Sequence, residues 1–139
     1  MLFRSNRNNA LFSTNAVVTI NGLQTSTVVY NQTTAGTDYT YNSKSWKLLS
    51  NNVTIPTSGI VTVNLSGTST STGSYIIADA MLLVGNNNTT AVIDNLVSST
   101  FSYTGSWVFQ TDANGYNSDN YYISPPYASK TATWTFKNL

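Results

Sequence analysis

The chain is a succession of short β-rich runs, each closed by turn residues within a few positions, with no credible helix between them. Ala16-Val17-Val18-Thr19-Ile20 and Ser26-Thr27-Val28-Val29-Tyr30 flank Asn21-Gly22, a pair that tolerates positive φ, so residues 15–31 are expected to form a hairpin turning there. Residues 46–49 read as another short strand. In residues 60–66, Val61, Val63 and Leu65 alternate with Thr62 and Asn64, which sets the apolar three inward; Pro56 and Gly59 punctuate the turn before them. Residues 75–84 are apolar on both alternating faces, Ile76, Ala78, Ala80 and Leu82 on one and Tyr75, Ile77, Met81 and Leu83 on the other, as in a strand covered on both sides. Residues 91–95, 101–103, 107–110, 121–124 and 131–136 complete a set of nine or ten strands. The fold class that follows is all-β, an antiparallel sandwich of jelly-roll-like form.

Composition narrows the function. Ser, Thr and Asn supply 58 of 139 residues, Glu is absent, and Asp and Lys plus Arg number only five and six. Such a surface is hydrated by hydroxyls and amides and suits the outside of a cell. No charged n-region followed by an apolar h-region opens the chain, so export would use a segment outside these residues. A net charge of +1, with Arg4, Arg7, Lys44, Lys47, Lys130 and Lys137 scattered, leaves no basic stripe for nucleic acid. No apolar run approaches the roughly 20 residues of a membrane-spanning helix. Without His or Cys the chain lacks the commonest general base, the commonest metal ligand and all thiolate chemistry, so an enzyme is not expected.

A few residues carry candidate chemistry. Asp79, between alanines in the most apolar run, needs donors: a backbone amide, a Trp indole, Arg4 or Arg7. No second carboxylate stands in an obvious partner motif, so a structural role is preferred over a catalytic one. Asp112, Asn114 and Asp119 bracket Gly115 and offer hard oxygen ligands for calcium, but the spacing departs from an EF-hand loop, and an Asx-bonded turn is the preferred reading. Trp46, Trp107 and Trp134 are read as core. Among tyrosines in polar, turn-rich contexts, Tyr116, Tyr121, Tyr122 and Tyr127, with Tyr39 and Tyr41, are candidate platforms for sugar rings. Asn31, Asn52, Asn64, Asn87 and Asn88 head N-glycosylation sequons, several of which arise by chance in so Asn- and Thr-rich a chain.

The small, polar segment 67–74 is expected to be a surface loop, O-glycosylated where the host glycosylates. The Asn/Thr segment 85–90 reads as a linker between residues 1–84 and residues 91–139. After it come Val92-Ile93-Asp94-Asn95, then Phe101-Ser102-Tyr103-Thr104-Gly105-Ser106-Trp107, Gly115-Tyr116, Asn120-Tyr121-Tyr122 and Thr131-Ala132-Thr133-Trp134-Thr135-Phe136. This half resembles the start of golvesin C-terminal-like domains, also described as xanthan-lyase-type carbohydrate-binding-like domains. The first half resembles the end of the same domain through Asn6-Arg7, the hairpin, Trp46-Lys47-Leu48-Leu49, residues 59–66 and Tyr75-Ile76-Ile77-Ala78-Asp79-Ala80. The order of halves is reversed relative to the family. Either the chain spans the end of one module and the start of the next in a tandem array, or it is a permuted subunit whose halves close on each other or complete neighbouring copies. The expected function is a non-catalytic structural repeat of an extracellular filament, sheath or appendage, with copies of itself as partners. The alternative, which the resemblance implies, is a carbohydrate-binding module that takes a polysaccharide.

Overall fold

The structure, a computed structural model, describes residues 1–4, 9–67 and 75–139. Most of the loop expected at 67–74, and Arg7 as a partner for Asp79, lie outside the described residues. Thirteen strands fold into three sheets among those described. They are β1 (Leu2–Phe3), β2 (Ala16–Asn21), β3 (Thr25–Tyr30), β4 (Tyr39–Tyr41), β5 (Lys44–Leu48), β6 (Val61–Ser66), β7 (Ile76–Ala78), β8 (Met81–Val84), β9 (Thr90–Ile93), β10 (Phe101–Thr104), β11 (Val108–Thr111), β12 (Asp119–Ile123) and β13 (Thr131–Phe136). The only helical element described is a single 3₁₀ turn at Tyr116–Ser118. Sheet orders are β4-β5-β1-β8-β9, β10-β13-β6-β2-β3 and β11-β12-β7, and every strand pair is antiparallel. The fold is an all-β antiparallel sandwich.

The second sheet shows why the alternation reads so cleanly. Ala16, Val18 and Ile20 on β2, Val61, Val63 and Leu65 on β6, and Ala132, Trp134 and Phe136 on β13 all point into one buried core. Their neighbours face out in cross-strand rows, one running Thr27, Thr19, Asn64, Thr133, Ser102. The rows are knitted by side-chain hydrogen bonds, Thr133 Oγ1 to Asn64 Oδ1 at 2.8 Å and Asn21 Nδ2 to Thr62 Oγ1 at 3.2 Å. Such cross-strand pairs stabilise a sheet by roughly 0.2–1 kcal/mol each. Phe3 of β1 meets Trp134 edge-on at 6.3 Å, which brings the first sheet against this core.

Residues 75–84 form two strands instead of one. The chain breaks at Asp79-Ala80, β7 pairing with β12 and β8 with β1 and β9. The break shifts the alternation by one residue: Ile76 and Ala78 face the main core, as do Met81 and Leu83, while Ala80 and Leu82 join a second apolar cluster with Leu2 and Trp46. Both faces are apolar because β8 is sandwiched between two cores.

Two turns also differ from expectation. The β2–β3 hairpin turns at Gly22–Gln24, since Asn21 pairs with Thr25, and Gly22 does not have positive φ. Glycine is needed there for closeness: a Cβ would lie 2.6 Å from the Thr54 carbonyl oxygen, which accepts the Leu23 N–H at 2.8 Å. The Asn/Thr segment after β8 closes the β8–β9 hairpin, with Val84 opposite Thr90, Gly85 N–H donating to Thr89 O at 2.8 Å and Asn88 at φ 61°. Strands from before and after it pair directly at β6–β13 and β7–β12, and both parts line the main core.

Candidate functional site

The break at Asp79 anchors a knot of buried polar groups. Asp79 is 3% exposed; its Oδ1 accepts the Tyr116 N–H at 2.9 Å, and its Oδ2 lies 3.9 Å from Arg4 Nε. The Trp134 indole donates to the backbone carbonyl of Asp79, not to its carboxylate. Arg4 in turn donates to Ser45 O at 2.9 Å and Asn114 O at 2.7 Å, which straps the 112–118 loop over the second cluster, where Tyr116 packs 5.7 Å from Trp46. Burial pushes the Asp79 carboxyl well above the usual carboxylate range, outweighing the Tyr116 amide and Arg4; Asp94 and Asp119 push it the same way. Burial also raises Asp94 and lowers Arg4.

The calcium candidates are drawn into this network separately. Asp112 Oδ1 accepts from the Asn114 N–H at 3.0 Å, and its Oδ2 accepts from Asn120 Nδ2 at 3.0 Å. Asp119 Oδ1 accepts from Asn95 Nδ2 at 2.7 Å. The Asn114 carbonyl is taken by Arg4. Among the described residues no three acidic, His or Cys side chains converge as a metal site. The arrangement is that of an Asx turn, in which amides satisfy the carboxylates.

The tyrosines scatter. Tyr121 lies in an aromatic cluster with rings from β10 and β11, edge strands of two different sheets. Its ring is 5.1 Å from Tyr103, 5.5 Å from Phe109 and 5.8 Å from Phe101. Tyr103 and Phe109 are 45% and 46% exposed, so the cluster presents rings to solvent. Tyr122, on the opposite side of β12, stacks edge-on against Tyr75. Tyr116 covers Trp46. Tyr39 is exposed, and the Tyr41 hydroxyl accepts from Thr90 Oγ1. Tyr127 is a correction: it is buried in the main core and cannot offer a face to a sugar. Trp46, Trp107 and Trp134 are all buried. Asn31, Asn52, Asn87 and Asn88 are exposed and lie outside the strands, whereas Asn64 is mid-strand with its Oδ1 taken by Thr133. Sequence reasoning missed Tyr103 and Phe109, because Phe109 meets Tyr121 only through the β11–β12 register and Tyr103 meets it from a strand of another sheet.

The strand edges form the third feature. Among the described residues six strands border the sheets, β3, β4, β7, β9, β10 and β11, and none of them contains a charged residue or proline. The charged residues found in strands lie on interior ones, Lys44 and Lys47 on β5 and Asp119 on β12. The β7 edge is plugged from within: buried Gln32 donates Nε2–H to Ile77 O at 2.8 Å and accepts the Ile77 N–H through Oε1 at 3.0 Å, standing in for a strand. No known protein family, curated protein or solved structure matches the chain.

Proposed function

We propose that the chain is a non-catalytic module of an extracellular filament, sheath or surface appendage, in which β-sandwiches join copy to copy through their strand edges. The observation that carries this reading is the uncharged, proline-free set of border strands. An edge presents unpaired N–H and C=O groups, and proteins that stay apart guard it with Lys, Pro or a bulge. The near-neutral, hydroxyl-rich surface supports the same reading, since little long-range repulsion keeps copies apart. A catalytic role draws no support from Asp79, whose carboxylate is enclosed by its own donors. Electron microscopy of the purified chain tests the reading: ordered polymers or strand-sharing oligomers agree with it, and monodisperse single sandwiches at high concentration contradict it.

A second reading, a carbohydrate-binding module, is favoured by the exposed rings of Tyr103 and Phe109 beside Tyr121, which give a platform on which a pyranose can stack. Glycan-array binding lost in Tyr103→Ala and Phe109→Ala supports it, and a blank array rejects it.

A further inference from the structure

We propose that two copies of this chain join through β3, as antiparallel strands related by a two-fold axis at Thr27, so that their five-stranded sheets become one. The inference rests on the self-assembling reading above and names its interface.

At six residues β3 is the longest border strand, against three or four for the other five. In an antiparallel ladder every second residue aims its N–H and C=O away from its single partner. On that open side, among the described residues, the backbone of residues 25–29 makes no hydrogen bond beyond the β2 ladder. The β7 edge, by contrast, is closed by Gln32. On β3 itself Val29 is 67% exposed, and Leu23 in the adjoining turn is 64% exposed.

Strand direction selects the symmetry. In the order β10-β13-β6-β2-β3 every neighbour is antiparallel, so with five strands β3 and β10 run the same way. Head-to-tail joining of β3 to β10 would therefore be a parallel pairing, the slightly weaker kind. A two-fold β3-to-β3 contact is antiparallel and isologous, the commonest form of homo-oligomer.

Side-chain parity then selects the register. Thr25, Thr27 and Val29 face outward with Asn21, Thr19 and Val17, while Ser26 and Val28 face inward with Ile20 and Val18. Residues directly opposite share a face, so odd positions must meet odd positions. Centring on Thr27 sets Thr25 against Val29 of the partner subunit and Ser26 against Val28 of the partner subunit, so the pairing spans the whole of residues 25–29. No charge meets another across the axis, because the strand has none.

The chain has no cysteine, so a single introduced thiol reports one contact. Opposed Cα atoms in an antiparallel pair lie about 4.5–5.5 Å apart, inside the disulfide range of about 4.4–6.8 Å. Thr27→Cys is expected to become a disulfide-linked dimer under mild oxidation, while Ser102→Cys, at the matching place on β10, stays monomeric on a non-reducing gel. Thr27→Lys sets two ammonium groups face to face and is expected to weaken dimerisation by at least about tenfold in sedimentation, with partial recovery in high salt and an unchanged melting temperature. If the native chain assembles but Ser102→Cys cross-links as well as Thr27→Cys, or Thr27→Lys dimerises as tightly as the native chain, the β3 interface is overturned while self-assembly stands. If the native chain remains monomeric at every concentration, both fall.

Discussion

Asp79 carries a carboxyl that burial makes easier to protonate in the folded chain than in the unfolded one, and Asp94 shares the effect. Between the ordinary carboxylate range and the raised folded values, the native state therefore holds more protons than the unfolded state. The stabilisation is full below the unfolded value and is lost as pH rises through the folded one. The melting temperature is expected to fall over that window, and Asp79→Asn, which keeps an acceptor for the Tyr116 N–H, to flatten the slope. Calorimetry across a pH series checks this; an unchanged slope in the variant would assign the effect elsewhere. Gln32 is the other residue with a defined cost. Gln32→Ala strands the buried Ile77 N–H and C=O, at about 1–3 kcal/mol for each group, and urea denaturation is expected to show that loss. The need of Asp79 for donors was legible in the sequence from its apolar setting. The role of Gln32 was not, because nothing local marks a side chain that pairs with a strand 45 positions away.

Elements built on plain alternation were the readable ones. β6 and β13 are recovered almost to the residue, since each buries every second side chain against one core. β1 and β4 escaped notice because two or three residues carry no period. The run across 75–84 hid its break because apolar character on both faces erases the parity shift at Asp79-Ala80. That shift sends Ala80 and Leu82 to join Trp46 of β5 in the second cluster, under the loop strapped by Arg4. Trp46→Ala is accordingly expected to cost roughly 3–5 kcal/mol and to loosen that loop. Hydrogen exchange at the Tyr116 amide would show the loosening, and full protection there would mean that the loop is held without the cluster.

At the scale of the whole molecule, the sandwich class follows from strand spacing and scarce charge, whereas the grouping of Tyr103, Phe109 and Tyr121 and the choice of border strands depend on long-range pairing that no local pattern encodes. The same scarcity of charge that makes the strands easy to find leaves the borders unguarded, which is why assembly is the favoured account. Sedimentation velocity of the native chain over a wide concentration range is the most direct measurement. The account predicts a monomer at low concentration that gives way reversibly to dimers and larger species as concentration rises. A single monomer boundary throughout would contradict it.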